Sequence, residues 1–227
     1  MHFTLTAADQ HQLGAYRADP QGAPKGGMVV IQEIFGVNRH IRAVADQYAL
    51  DGFVVLAPDV FWRQAPRVEL GYEGADRERA FALMRQAQPD QLLADVQRAV
   101  AALRARPEVA GKVGAFGYCM GGRLAYLAAA TAGVDAASCF YGGGIQDHLH
   151  HAANVRCPIQ FHYGERDSMI PPAAVQKVQT AFAGKPAEVF LYPADHGFNC
   201  WERASYEPRA AALAHARTLA HFAQHLY

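Results

Sequence analysis

The stretch from Val113 to Ala130 reads VGAFGYCMGGRLAYLAAA, and it predicts a strand that turns sharply into a helix. Gly117 and Gly121 stand two positions before and two positions after Cys119. Such a turn needs small residues at both positions, because larger side chains there would collide. The turn exposes the Cys119 sulfur near the positive end of the helix, which favours a thiolate. We therefore predict that Cys119 is a nucleophile rather than an inert core cysteine.

Strands and helices alternate along the rest of the chain. Short apolar runs predict strands buried on both faces, at 28–32, 53–57, 112–118, 136–141, 158–163 and 188–192. We expect Asn38 to cap a helix that ends near Gly52, Asp90 to cap a later helix, and Ser205 to open the C-terminal one. This alternation predicts the α/β class, with a mainly parallel sheet covered by helices on both faces.

One long segment, 59–74, lacks clear periodicity, and loops of that length are usually functional or mobile. We expect it to cap a site. No repeat and no linker rich in proline, glycine or serine divides the chain. A single domain over residues 1–227 is therefore predicted.

Charge and hydropathy exclude several classes of function. The 21 basic and 21 acidic side chains give a formal net charge of +0, so no global field favours nucleic acid or an anionic membrane. The chain has no long uninterrupted apolar run, and its first residues lack the pattern of a signal peptide. We expect a cytoplasmic protein, monomeric or weakly homo-oligomeric, with no nucleic-acid or membrane partner.

The cysteine pattern argues against disulfides and zinc. Four cysteines lie far apart, whereas disulfide frameworks belong to short chains with dense cysteines, so all four are expected to be reduced. Cys139 and Cys157 are predicted to be core residues, while Cys200 stays undecided. No C-x-x-C pair occurs, and a cluster of histidines lacks the i, i+4 spacing of a helical metal site: His148, His150 and His151. A solvated loop is the expected reading of the cluster, and no metal is predicted.

A nucleophilic thiol needs a base and an acid that orients the base, because a free thiol is mostly protonated at neutral pH. Asp167 and His196 each follow a predicted strand, which completes the order nucleophile, acid, histidine of α/β-hydrolases. Asp195 is a rival carboxylate, but it adjoins His196 in sequence and is poorly placed to accept its ring N–H. We predict that Asp167 orients His196. Judged by itself, Asp167 could equally be a turn residue or a helix cap.

Taken together, six segments resemble the dienelactone hydrolase family, also called carboxymethylenebutenolidases, over nearly the whole chain. The segments are QEIFGVN at 32–38, APD at 57–59, RQAP at 63–66, GYCMGG at 117–122, GERD at 164–167 and HGF at 196–198. The resemblance implies an eight-stranded α/β-hydrolase fold, no cofactor, and the opening of an unsaturated lactone that carries a carboxylate. A small lactone or ester, anionic in character, is thus the expected partner.

The resemblance also implies roles for charged residues. In the family, the glutamate at the position of Glu33 interacts with the nucleophilic cysteine at rest and is displaced when substrate binds. Arg77 resembles the first of two arginines that hold the substrate carboxylate. The position of the second is Cys200 here, and Arg203 lies three residues further on, within reach of the same pocket.

These expectations combine into one mechanism. The Cys119 thiolate attacks an ester or lactone carbonyl, the backbone N–H groups of Met120 and Ile34 stabilise the oxyanion, and water activated by His196 hydrolyses the thioester. Aromatic side chains are expected to line the pocket: Phe35, Tyr141 and Phe198. A broad carboxylesterase or thioesterase stays open as an alternative, as does a non-enzymatic redox sensor or binding protein that uses Cys119.

Overall fold

The computed structural model describes residues 2–7, 9–109 and 111–227. Its sheet has eight strands: β1 (His2–Thr6), β2 (Gln12–Ala18), β3 (Gly26–Ile31), β4 (Phe53–Pro58), β5 (Val113–Tyr118), β6 (Ala136–Phe140), β7 (Ile159–Gly164) and β8 (Ala187–Tyr192). The strand order is β1-β2-β4-β3-β5-β6-β7-β8. The pairs β1–β2 and β2–β4 are antiparallel and all the others are parallel. The predicted α/β class with a mainly parallel sheet is confirmed.

The described residues also form six α-helices: α1 (Arg39–Leu50), α2 (Gly74–Gln86), α3 (Pro89–Arg104), α4 (Met120–Thr131), α5 (Pro172–Ala181) and α6 (Pro208–Leu226). Glycines of the central strand β5 show that both of its faces are covered. A Cβ on Gly114 would lie 2.6 Å from Phe222 of α6, and a Cβ on Gly117 would lie 2.4 Å from the Gly121 oxygen of α4. Because side chains three positions apart leave a strand on opposite sides, α4 and α6 pack on opposite faces.

The first two strands were not predicted from the sequence. β1 is an edge strand with largely exposed side chains, and β2 alternates between buried and half-exposed residues. Neither has the continuous apolar pattern of the central strands, because only one face of each is buried against the core.

Helix ends agree with the sequence only in part. Asn38 caps α1 by accepting the Ile41 N–H at 3.3 Å, and Gly52 follows the helix with φ +101°. The prediction for Asp90 is wrong, because α3 begins one residue earlier, at a proline that fits the first helical turn. The prediction for Ser205 is also wrong. The cap of α6 is Glu207, whose carboxylate accepts the Ala210 N–H at 2.6 Å.

Residues 59–74, the segment without periodicity, form a loop that is hydrogen-bonded to the QEIFG segment at 32–36. Both oxygens of Asp59 accept backbone N–H groups, from Phe61 at 3.1 Å and from Arg67 at 2.9 Å. Further along, the Leu70 N–H donates to the Phe35 carbonyl at 3.0 Å. The loop therefore lies against the residues that follow β3, next to the C-terminal ends of the central strands.

Candidate active site

Cys119 stands at the turn between β5 and α4 with φ +56° and ψ −115°, a backbone conformation that is strained for any residue with a side chain. Its N–H donates to the Phe140 carbonyl at 3.0 Å. The glycines on either side explain how the turn closes: a Cβ on Gly117 would lie 2.4 Å from the Gly121 oxygen. The predicted strand-turn-helix with small residues at both positions is confirmed, and the Cys119 side chain is only half-buried.

The turn at Cys119 packs against the end of β3. A Cβ on Gly121 would lie 2.2 Å from the Ile31 oxygen and 2.5 Å from the Gln32 oxygen. This contact brings the backbone that leads to Ile34 beside the first turn of α4. The Met120 N–H belongs to that first turn, where backbone N–H groups have no acceptor within their own helix. Two backbone segments with N–H groups thus adjoin Cys119.

His196 and Asp167 meet as the sequence predicted. The Nδ1 atom of His196 lies 2.7 Å from Oδ2 of Asp167, whose Oδ1 accepts the Met169 N–H at 2.8 Å. The rival Asp195 points away: its side chain is 54% exposed and lies 3.9 Å from Arg166. Asp167 is therefore the carboxylate that holds the His196 ring.

The charge state of His196 depends on Cys119. Burial lowers the pKa of His196, but the negative charge of a Cys119 thiolate and the bond to Asp167 outweigh it and raise that pKa to about 10. Because Nδ1 is committed to Asp167, the buried second ring nitrogen, Nε2, is the one that interacts with Cys119. With a pKa of about 10, the His196 ring carries its proton at neutral pH.

Glu33 is paired with Arg203. The side chain of Glu33 is 1% exposed, and its Oε1 accepts a bond from Nη1 of Arg203 at 2.9 Å. Burial raises the pKa of Glu33, while the charges of Arg203 and His196 oppose the rise. Arg203 thus reaches the site and forms an ion pair with Glu33 there.

Tyr72 is a site residue that sequence reasoning missed. Its ring centroid lies 4.5 Å from that of Phe35 and 5.6 Å from the Arg203 guanidinium carbon, and its hydroxyl accepts from Asn38 at 3.0 Å. It lies at the end of the loop without periodicity, and only the long loop itself signalled that this segment approaches a site. Cys200 belongs to the same cluster, where burial raises the pKa of its thiol to about 12.

Two of the predicted aromatic residues, Tyr141 and Phe198, pack together beside His196. Tyr141 has φ +36°, and its ring lies 5.1 Å from the His196 ring and 5.4 Å from that of Phe198. Both side chains are fully buried. In the part of the chain that the structure describes, the Tyr141 hydroxyl has no hydrogen-bond partner, so a polar group next to His196 is left for a ligand.

Other predicted residues lie outside this cluster. Arg77 is on the exposed side of α2, with its guanidinium 5.5 Å from the Phe81 ring. Cys139 and Cys157 are buried in the core as predicted, and none of the four cysteines is paired within the described residues. The histidine cluster lies at a short 3-10 helix, Leu149–Asn154, where the His150 and His151 rings are 4.1 Å apart.

Residues 2–7, 9–109 and 111–227 lack two kinds of feature. No three acidic, histidine or cysteine side chains are grouped as a metal ion would require. None of the helices there combines the length and the apolar character that crossing a bilayer demands.

Comparison with known proteins agrees with this geometry. The chain is 35% identical over 219 residues to a carboxymethylenebutenolidase of Pseudomonas putida, covering 95% of this chain and 93% of that one. It is 38% identical to a carboxymethylenebutenolidase-like protein of Azospirillum brasilense, with 98% of each chain covered. A crystal structure of a dienelactone hydrolase-like protein from Klebsiella pneumoniae superimposes with a TM-score of 0.87 at 30% identity, covering 99% of each chain. Residues 13–226 match the model of the dienelactone hydrolase family, and the chain therefore belongs to that family.

Proposed function

We propose that this protein is a cysteine-dependent hydrolase that opens a lactone or ester through a thioester on Cys119. One observation carries the proposal. The half-buried Cys119 stands at a strained turn and interacts with His196, and the buried Asp167 carboxylate lies 2.7 Å from Nδ1 of that histidine. Strain of this kind persists only where the surrounding structure enforces it. A core cysteine would not require that strain.

In the acylation step, the Cys119 thiolate attacks the carbonyl carbon and the carbonyl oxygen gains negative charge. The N–H groups of Met120 and Ile34 are the proposed donors to that oxygen, because the contact of Gly121 with β3 holds the two segments together. The imidazolium of His196 gives a proton to the leaving alkoxide. The products of this step are an alcohol, or the hydroxyl end of an opened ring, and the thioester.

In the deacylation step, His196 changes role. Once Cys119 is acylated, it carries no charge, so the main cause of the raised pKa of His196 disappears. The imidazole can then take a proton from water, which attacks the thioester. Asp167 holds the ring in the tautomer that this step needs.

Arg203 is the best-placed cation for a substrate carboxylate, and we propose that the preferred substrates are anionic. It contacts Glu33 and the two rings of Phe35 and Tyr72, and its side chain is 21% exposed. Arg77, on the exposed side of α2, is proposed as the second cation of the clamp. A charge-assisted hydrogen bond contributes about 1.5–3 kcal/mol, so Arg203→Ala should cost about tenfold to a hundredfold in kcat/KM for a carboxylate lactone and little for its methyl ester.

Trapping the acyl-enzyme tests the proposal. After rapid acid quench with an activated ester, mass spectrometry should show one acyl group on the peptide that contains Cys119. Cys119→Ala should lose both the adduct and turnover, while Cys139→Ala, buried elsewhere, should keep both. Full activity in Cys119→Ala would refute the mechanism.

A panel of lactones, aryl esters and acyl thioesters separates a lactone hydrolase from a broad esterase or thioesterase with the same residues. If no acyl group is ever trapped and Cys119 is instead oxidised, the redox-sensor alternative becomes the better reading.

A further inference from the structure

The strand β8 is an open edge of the sheet. It pairs with β7 on one side, and no described strand lies on its other side. Grooves run beside it on both faces of the sheet, one of about 200 Å³ against α5 and two of about 310 and 670 Å³ against α6. Its six residues, AEVFLY, carry one charge, whereas exposed edge strands usually carry charges that prevent pairing. The backbone of β8 is therefore accessible to another strand.

The backbone groups of β8 alternate between its two sides. The Ile159 N–H donates to the Pro186 carbonyl at 3.0 Å, and the Glu165 N–H donates to the Tyr192 carbonyl at 2.8 Å. The even-numbered residues of β8 thus face β7. Because the N–H and C=O of one strand residue point to the same side, the odd-numbered residues direct theirs to the free edge. These residues are Ala187, Val189 and Leu191.

Charge selects one register for pairing with a second copy. Antiparallel self-pairing can be centred on Val189 or on Phe190. The Arg217 guanidinium stacks on the Phe190 ring at 4.2 Å, so centring on Phe190 would place two such cations opposite each other. Centring on Val189 instead places the exposed Glu188 of one copy opposite Phe190 of the other, beside Arg217. Charge complementarity therefore favours the register centred on Val189.

The free backbone groups fit the same register. Val189 of one copy can exchange two hydrogen bonds with Val189 of the other. The Leu191 N–H of each copy then lies opposite the Ala187 carbonyl of the other copy. The Ala187 N–H is not needed, because it already donates to the Lys185 carbonyl at 2.7 Å.

The face of β8 that lies towards α5 is apolar. Ala187, Val189 and Leu191 share this face, and Leu191 is 46% exposed beside Val175 of α5. In the register centred on Val189, each Leu191 packs on Ala187 of the other copy, and the two Val189 side chains meet at the axis. Pairing thus removes from water a large apolar side chain that the single chain exposes.

We propose that this protein forms a symmetric homodimer in which the two β8 strands pair antiparallel about Val189. The two eight-stranded sheets then become one continuous sheet. Glu188 of each copy pairs with Arg217 of the other on one face, and the apolar side chains pack on the opposite face. The interface uses none of the residues of the Cys119 site, so the proposal stands whether or not the thioester mechanism is correct.

Sedimentation velocity of the full chain at about 5 to about 500 µM tests the proposal, since pairing through one short strand makes a small and weak interface. The wild type should shift from monomer to dimer as concentration rises. Leu191→Lys should stay monomeric, because it replaces the apolar contact with a charge. Leu50→Lys is the matched control, since Leu50 is 76% exposed on α1, and it should dimerise like the wild type. A wild type that stays monomeric, or equal behaviour of the two variants, overturns the proposal.

Disulfide trapping tests the register, in a Cys119→Ala background with copper phenanthroline as the oxidant. Val189→Cys should cross-link two chains, because residues opposite each other at the axis have Cα atoms about 5.5 Å apart. Leu191→Cys should not, because its two copies are about 13 Å apart along the strands. Equal cross-linking of the two variants, or none in either, overturns the proposed pairing.

The ion pair has its own readout in the same sedimentation assay. Glu188→Gln should raise the dimer Kd about twofold to thirtyfold, because two cross-strand charge pairs are lost in each dimer. An unchanged Kd would overturn the register centred on Val189.

Discussion

A single methyl group at Gly121 should disable the site without touching any side chain in it. In Gly121→Ala the new Cβ would lie 2.2 Å from the Ile31 oxygen and 2.5 Å from the Gln32 oxygen. Unstrained contacts between heavy atoms are about 3.5 Å, so the end of β3 and the start of α4 must separate by about 1 Å. That movement shifts the segment carrying Ile34 away from Met120.

The magnitude follows from the role of the two N–H groups. Removing one oxyanion donor costs about 10²–10³ in kcat, and a misplacement of about 1 Å has a comparable effect. Overpacking also costs about 1–3 kcal/mol of stability. At about 2–4 °C per kcal/mol for a chain of this size, the melting temperature should fall by about 2–12 °C, and the protein should stay folded at assay temperature.

The assay compares kcat/KM for an aryl ester with the rate at which iodoacetamide alkylates Cys119. Alkylation needs the thiolate but creates no oxyanion, so its rate should stay within about threefold of wild type while kcat/KM falls about 10²–10³. Gly22→Ala is the matched control, since a Cβ there meets nothing within 4 Å. If folded Gly121→Ala keeps wild-type kcat/KM, the segment after β3 does not supply an oxyanion donor.

Three further perturbations have outcomes set by the geometry. Asp167→Asn should lower kcat by about 10⁴, because the ring of His196 then takes the wrong tautomer, whereas Asp195→Asn should change it little; equal losses in steady-state assays would reverse the assignment. Burial lowers the pKa of His40 to about 3 from an unfolded value of 6.5, so the unfolded chain binds the proton first as the pH falls below 6.5. The stability present above pH 6.5 is therefore lost on acidification. The free energy of unfolding, measured with denaturant, should fall between pH 7 and pH 5 in wild type, and in His40→Phe this fall should be smaller by about 2 kcal/mol. An equal fall in the two proteins would mean that His40 is not buried as a neutral ring. Glu207→Ala should cost about 1 kcal/mol by removing the cap of α6, seen as a fall of about 2–4 °C in melting temperature, and no fall would show that the cap bond contributes nothing.

Local sequence was sufficient for the features that depend on neighbouring residues. The turn at Cys119 could be predicted because its steric demand falls on Gly117 and Gly121, which are two positions away on either side. The central strands could be predicted because both of their faces are buried, which leaves a continuous apolar run. Chain order also predicted that Asp167 and His196 lie together at the C-terminal ends of the strands, because parallel strands end on the same side of the sheet.

Helix starts were predicted less well, because neighbouring residues also help to decide where a helix begins. Asp90 and Ser205 are both residues that favour caps, yet α3 and α6 begin at prolines, whose fixed φ already suits the first turn. Ser205 instead donates to the His196 carbonyl at 2.7 Å and so supports the loop of that histidine. Composition at one position does not distinguish these two uses of a hydroxyl.

Only the tertiary structure decided which charges meet. The sequence by itself determined that Cys119, Asp167 and His196 lie at the C-terminal ends of the parallel strands. Glu33 and Arg203 are 170 residues apart, and their hydrogen bond depends on how two loops pack against each other. Tyr72 enters the same cluster from a loop without periodicity. Arg77 turns to solvent, although the family resemblance implied that it holds the substrate carboxylate. Side-chain pairing between distant loops has no period along the chain. It follows from the close approach of β3, β5 and the loops after β7 and β8, which is a property of the folded sheet and not of any local segment.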